Sequence, residues 1–337
     1  MARDASWPVV WSQYLAARLA ATALTCFDVG PNLRTAAAIG RMIHRFDRRH
    51  RRRAARHIAL AFPKWNQARR DEVCVRSFEH FVQLAVEVCH TPRLIHRDSW
   101  PRTTRFANLG PAVELLNAGK PVILVTGHVG NWEVLGYLMA VLGYPVHALF
   151  RPLDNRLLNA WVVNIRRRRG LHLITKWDAT DRMQRVLDEG GALAFIADQN
   201  AGDKGLFVPF FGRLASTYKS IGLLAMTTGV PIVCGYAQRR SPGYRFELGV
   251  EEIIRPEDWV DRADPLYYVT ARFMRAIEQT VRRCPEQYLW SHRRWRSRPR
   301  FEREGKPMPA TLRRKLKALP WIDDAAIEQL TVPLDTV

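Results

Sequence analysis

Acidic residues are in short supply: 32 Asp and Glu stand against 52 Lys and Arg in 337 residues, a formal net charge of +20. So basic a chain is drawn to anionic partners, whether a phospholipid surface, nucleic acid or an acidic carrier protein, and charge alone does not choose among them. Cysteine is sparse as well. The five residues, Cys26, Cys74, Cys89, Cys234 and Cys284, are scattered and form no CxxC pair, which argues against a disulfide framework and for reduced thiols packed as small hydrophobes. No apolar run supplies the roughly 20 unbroken residues of a spanning helix. The nearest, Trp7 to Val29, is interrupted by Ser12, Gln13, Arg18 and Asp28 and lacks the basic n-region of a cleaved signal peptide. Also absent are a GxSxG elbow, a GxGxxG turn, a Walker loop and an HExxH pair, which removes serine hydrolases, dinucleotide enzymes, P-loop NTPases and zincins.

At 47% hydrophobic, the chain has material for one large α/β domain or two ordinary ones. Residues 1–34 read as an interfacial amphipathic helix with Trp7, Trp11 and Tyr14 at headgroup level, a plain core helix being the alternative. The helical stretch Thr35 to His57 ends in RRHRRRAARH. Charge runs are usually solvated faces, but this one directly follows the interfacial segment, which favours contact with anionic headgroups. Arg69 to Cys89 repeats apolar residues near helical spacing and should pack as core.

The central third alternates. Strand-like runs are VILVT (122–126), VHALF (146–150), LHLIT (171–175), ALAFIA (192–197), PIVCGYA (231–237) and FELGV (246–250). Helical patterns cover Trp132 to Leu142, Leu153 to Arg169, Thr180 to Glu189 and Thr217 to Thr228. This predicts a mostly parallel sheet covered by helices, with ligands outside the carboxyl ends of the strands. No repeat, linker or domain boundary stands out before about residue 300, and the Pro-rich tail from Gly305 offers one basic helix at Leu312 to Leu319.

The first of those strands runs into Gly127, His128, Gly130 and Asn131 before a helix begins. His128 and Glu133 are five residues apart, a spacing that does not align two side chains on one helix face. They meet only if His128 lies in the turn, which the flanking glycines permit. A carboxylate on one ring nitrogen would fix the tautomer and leave the other nitrogen to accept a proton, as a general base requires. Taken alone, the pair equally describes a histidine held for structural reasons. Arg151, just after the second strand, suits an anionic group or is simply a surface arginine before a Pro turn. Asp198 and Gln199 end the fourth strand on the same sheet edge, as ligands or as caps of the loop that follows. Phe207, Phe210 and Phe211 read as core or as the lining of an apolar path. Trp290, His292, Arg293, Arg294 and Trp295 mix aromatics with cations suited to phosphate or sugar; His292 lacks a local carboxylate and is the poorer base.

In these surroundings GHVGNWE resembles the HX4E form of the histidine and acidic motif of glycerolipid acyltransferases, specifically the lipid A biosynthesis acyltransferase family, which includes lauroyl and myristoyl transferases and phosphatidylinositol mannoside acyltransferases. RHIALAFP (56–63), FRPLDN (150–155), DQNAGDKGLFVPFFGRLAST (198–217) and PEQYLWSHRRWRSRP (285–299) resemble family blocks in the expected order, over roughly residues 35–300. The resemblance implies a glycerolipid acyltransferase-like α/β fold, a mostly parallel mixed sheet covered by helices, with the N-terminal interfacial helix at 1–34, the acyltransferase domain at 35–304 and a tail at 305–337.

It further implies that His128 deprotonates the acceptor hydroxyl, that Glu133 orients His128, and that the alkoxide attacks an acyl thioester with no acyl-enzyme intermediate, metal or cofactor. Arg151 matches the family's arginine as a third catalytic residue; Asn131, Asp198, Gln199, Thr217, Arg293 and Arg294 are expected to bind substrate. The implied donor is an acyl carrier protein thioester or acyl-CoA. The implied acceptor is a membrane glycolipid, first a lipid A precursor in a late acylation of the Kdo2-lipid A type, alternatively a phosphatidylinositol mannoside or another glycolipid or aminolipid. The implied place is the cytoplasmic face of the inner membrane, held peripherally or by a short N-terminal anchor on an anionic surface. The chain departs from common family wording at Val129, where an aromatic residue is frequent, and in its Arg-interrupted N-terminal segment. A basic nucleic-acid-binding protein is the competing reading, motivated by RRHRRR and by RRRR (166–169), but no helix-turn-helix, RNP or KH signature accompanies them, so no nucleic acid partner is expected.

Overall fold

The computed structural model describes residues 6–332 apart from 151, 168–169, 176–178 and 241–242. Four helices open the chain: α1 (Trp7–Thr25), α2 (Val29–Phe46), α3 (Arg48–Ala61) and α4 (Gln67–Leu94). The helical stretch expected from Thr35 is two helices, because Asp47 ends α2 and its carboxylate caps α3 by accepting the His50 N–H at 3.0 Å. There follow α5 (Trp100–Thr103), β1 (Thr104–Ala107), α6 (Gly110–Asn117), β2 (Val122–Thr126), α7 (Trp132–Val141), β3 (Val146–Phe150), α8 (Arg156–Arg167), β4 (Leu171–Thr175), α9 (Ala179–Asp188) and β5 (Ala192–Ile196). The hairpin β6 (Leu206–Phe210) and β7 (Arg213–Thr217) leads to α10 (Ser220–Thr228), β8 (Ile232–Arg239), β9 (Phe246–Ile254) and α11 (Pro265–Arg283). Short helices α12 (Arg300–Arg303), α13 (Ala310–Lys317) and α14 (Asp324–Thr331) complete it.

Apart from the hairpin, the strands form one sheet in the order β1-β9-β8-β2-β5-β3-β4, parallel throughout except between β8 and β9. This is the expected α/β architecture. All six expected strands are present, and two features lie outside the sequence patterns: the edge strand β1 and the hairpin, whose β7 takes Thr217, where the pattern predicts a helix start.

The strand order locates the functional crevice. From β2 the chain passes through α7 to β3 on one side, whereas from β5, the immediate neighbour of β2, it passes through the hairpin and α10 to β8 on the other. Two adjacent parallel strands whose connections diverge leave an opening at their carboxyl ends, because no connection covers it.

Alternation along β2 divides its side chains between the sheet faces. Ile123 and Val125 join the main core with Ile221 of α10, Phe273 and Ile277 of α11 and the hairpin's Phe210. Leu124 and Thr126 line an apolar cavity on the opposite face, roofed by α6 and α7. The tail belongs to the same body: Leu316, Leu319, Ile327 and Leu330 are buried in the main core. At the other end, the boundary expected at residues 34 and 35 falls inside α2. Among the described residues no helix is long and apolar enough to cross a membrane. Instead α1 exposes Trp7 (59%), Trp11, Leu15 and Leu19 (69%) at every fourth position, and α2 adds Met42, Ile43 and Phe46.

Candidate active site

The register of β2 against β5 pairs Thr126 with Ile196. Two residues further along each strand lie His128 and Asp198, so parallel pairing sets them opposite each other although 70 positions separate them in the chain. The Ala197 N–H donates to Thr126 O at 2.8 Å and extends the ladder to this point. Asp198 then takes the histidine at both ends: the His128 Nδ1–H donates to Oδ1 at 2.7 Å, and the His128 backbone N–H donates to Oδ2 at 3.0 Å. With Nδ1 occupied as a donor, the free lone pair is on Nε2. That atom faces the exposed Gln199, whose amide nitrogen is 3.4 Å away.

The two glycines of the motif serve this geometry. Gly130 has φ +64°, and a Cβ there would lie 2.0 Å from Ala237 O. A Cβ on Gly127 would come within 2.7 Å of Ile277 and 3.5 Å of the Asp198 carboxylate. The turn is also clamped from outside. The Gly130 N–H donates to Gln287 O at 2.9 Å, the Asn131 N–H to Ala237 O at 2.7 Å, and the Leu289 N–H to His128 O at 3.1 Å. The block around residues 285–299 therefore closes behind the histidine.

Electrostatically the pair is mutually sustaining. Burial by itself would raise the Asp198 carboxyl, but the adjacent imidazole and its hydrogen bonds outweigh that and bring it down to about 2. Burial by itself would lower His128; the Asp198 charge and hydrogen bond, assisted by the charge of Glu133, leave it raised above its ordinary value. His292 stacks 6.4 Å away with its affinity for protons lowered, chiefly by burial.

The expected partnership of His128 with Glu133 is therefore corrected: the histidine hydrogen-bonds Asp198. Glu133 occupies the first turn of α7, where its side chain points along the cavity face to Arg166 at the end of α8. The two make a double contact, Arg166 Nε to Oε2 at 3.0 Å and Arg166 Nη2 to Oε1, with the guanidinium over the Phe150 ring at 5.3 Å. Arg166 was visible in the sequence only as the first of a run of arginines. Arg151 lies outside the described residues.

Of the residues expected to bind substrate, Asn131, Thr217 and Arg294 are, like Asp198, internal. Asn131 is fully buried; its Oδ1 caps α7 by accepting the Val134 N–H at 3.0 Å, and its Nδ2 donates to Glu87 Oε2 at 2.7 Å. Arg294 is also buried and donates to Thr217 Oγ1 at 2.6 Å, to Ser216 O and to Gln199 O at 3.3 Å, so that Arg294 and Thr217 brace the loop carrying Asp198 and Gln199. The Asn131 amide, the Thr217 hydroxyl and the two terminal nitrogens of Arg294 are bonded within the protein, while Arg294 Nε is buried without a hydrogen-bond partner among the described residues. Arg293 is half-buried and close enough to Arg53 for their charges to repel. Phe210 and Phe211 are core residues, with Phe207 packed against them.

The apolar cavity begins at the same place. It encloses about 470 Å³, within the range of small-molecule sites, and is lined from Trp132, Glu133 and Arg166 inward by Leu124, Ala148 and Ala194 of the sheet and Met139 of α7. Trp132 sets its ring edge against the imidazole, centroids 5.0 Å apart. A histidine held by a carboxylate at a strand-end crevice, beside an apolar chamber, is the kind of arrangement that suits base-assisted transfer involving a substrate with a hydrocarbon part.

Comparison with known proteins agrees. The model of the bacterial lipid A biosynthesis acyltransferases matches residues 3–297. The chain is 29% identical over 269 residues to the lipid A biosynthesis palmitoleoyltransferase of Escherichia coli K12, covering 77% of this chain and 83% of that one. It is 25% identical over 273 residues to the lauroyltransferase of the same organism (79% and 85%) and 26% identical over 291 residues to its myristoyltransferase (84% and 86%). The protein belongs to the bacterial lipid A biosynthesis acyltransferase family and is an acyltransferase.

Proposed function

We propose that the protein moves a fatty acyl group from a thioester donor to a hydroxyl of a lipid A precursor, with His128 as general base and Asp198 as the carboxylate that orients it. The observation carrying this reading is the His128–Asp198 pair beside the 470 Å³ apolar chamber. The donor chain enters the chamber and places its thioester carbonyl near Trp132. His128 Nε2 takes the acceptor hydroxyl proton as the oxygen attacks that carbonyl; the carbon–sulfur bond then breaks, and the imidazolium returns the proton to the departing thiolate. Arg166, fixed by Glu133, supplies positive charge at the chamber mouth where the tetrahedral oxyanion develops. No acyl-enzyme is required.

The surface supports a membrane setting. The strip of Trp7, Trp11, Leu15 and Leu19, with Met42, Ile43 and Phe46, is an exposed apolar face suited to enter the headgroup region, and the arginines of α3 supply attraction to anionic lipid. On this reading the protein lies on the inner leaflet facing the cytoplasm, where acyl carrier protein, an acidic carrier, suits the charge of +20.

The test is transfer of a radiolabelled acyl group from its carrier-protein thioester, and separately from acyl-CoA, to a lipid A precursor, with a mannosylated phosphoinositide as comparison. The wild type acylates the lipid A precursor, and His128→Ala abolishes turnover while retaining the native circular dichroism spectrum. Substantial turnover by His128→Ala removes the base assignment, and acylation of the phosphoinositide alone removes the acceptor assignment.

A further inference from the structure

A second cavity, about 480 Å³, lies on the other side of the Glu133–Arg166 pair. Trp132, Glu133, Arg166 and Leu171 line both cavities and so form the wall between them. The second chamber is half open to solvent and is lined by Ala21 and the exposed Thr22 of α1, the exposed Ala85 and the half-buried Cys89 of α4, Tyr137 of α7 and Trp161 of α8. Its α1 wall continues to the exposed Arg18, whose guanidinium rests over the rings of Trp161 at 5.4 Å and Tyr14 at 5.8 Å.

We propose that this chamber receives an acyl chain already carried by the acceptor glycolipid, while the donor chain occupies the first. The inference rests on the acyl-transfer reading and specifies where its second substrate sits. Two hydrocarbon chains must leave water or bilayer for their head ends to meet at one imidazole, and each gains by apolar burial. The two chambers converge on Trp132, whose ring touches His128, so chains entered from either side bring an acceptor hydroxyl and a donor carbonyl together there. Two features select the acceptor for the second chamber. One of its walls is α1, the helix bearing the exposed apolar strip, so a lipid moves from the bilayer along that helix without crossing the sheet. The Arg18 cation beside it complements an anionic group on the lipid's head.

Cys89 reports occupancy directly. In a Cys26→Ser background, which removes the one exposed thiol, Cys89 is half-buried while Cys74, Cys234 and Cys284 are buried. Labelling of Cys89 by an apolar maleimide is followed in nonionic detergent with four additions: an acylated lipid A precursor, its de-acylated headgroup, a non-hydrolysable acyl thioester analogue, or a zwitterionic phospholipid. The acylated precursor at saturation slows labelling at least about fivefold, and the other three leave it unchanged. Protection by the thioester analogue, equal protection by the phospholipid, or protection by none of the four overturns the proposal. Ala85→Phe, which fills the chamber away from His128, raises KM for the acylated precursor about tenfold while kcat and donor chain-length preference hold; a shift in donor preference, or an unchanged KM, also overturns it. Labelling reads binding without turnover. Failure of wild-type transfer therefore counts against the function proposed above, and failure of protection counts against the chamber.

Discussion

At the residue scale, the chemistry depends on which carboxylate holds His128. Asp198 grips both the ring and the backbone nitrogen, whereas Glu133 contributes only its charge from beside Arg166. The consequence is measurable in pH dependence. Because the proposed base must be neutral to act and the proton affinity of His128 is raised, kcat/KM should fall on acidification with a midpoint above the ordinary imidazole value of about 6.5. Asp198→Asn removes the largest raising influence and leaves burial, so the midpoint moves to lower pH while the plateau rate drops about a hundredfold or more. An unmoved midpoint would show that Asp198 does not control the base. The histidine was legible in the sequence because two glycines and a strand end frame it. Its partner was not: proximity in the chain pointed to Glu133, and only the register of β2 against β5 reveals a neighbour 70 residues away.

At the element scale, the turn before α7 is seated on a buried ion pair. Glu87 of α4 has no exposed surface, and it accepts from Arg239 at the end of β8 through Nε and Nη2 as well as from the capping Asn131. Removing one member leaves an uncompensated charge inside the protein. Glu87→Ala should cost about 3–5 kcal/mol in urea denaturation, far more than an exposed pair such as Arg69 and Glu72. A loss below about 1 kcal/mol would contradict this seat. The elements themselves were readable to unequal degrees. Buried strands such as VILVT announce themselves as continuous apolar runs. TRFA of β1 is a four-residue edge strand containing an arginine, and LFVPF of β6 carries Pro209, so neither has the pattern of a central strand.

At the scale of the whole molecule, the proposed membrane setting has basic charge and the apolar strip of α1 acting on the same anionic lipid surface. Co-sedimentation with anionic vesicles should weaken as salt rises, and a triple change Trp7→Ser, Trp11→Ser and Leu19→Ser should lower partitioning at least about tenfold. Equal binding of the triple variant would place the contact elsewhere. The folded body draws on distant parts of the chain: α4 seats the turn that carries His128, and α13 and α14 with the segment between them bring Leu316, Leu319, Ile327 and Leu330 into the main core.

The insertion of β5 between β2 and β3 also sets an order in time. During synthesis α1 leaves the ribosome on the order of ten seconds before Asp198 exists. Until β5 slots into the gap left by its two neighbours, His128 has no carboxylate to fix its tautomer. The nascent chain thus displays the exposed apolar strip of α1 well before His128 can meet Asp198, and the later segments that hold the turn and the Asp198 loop, β8 and residues 285–299, arrive after that pairing strand.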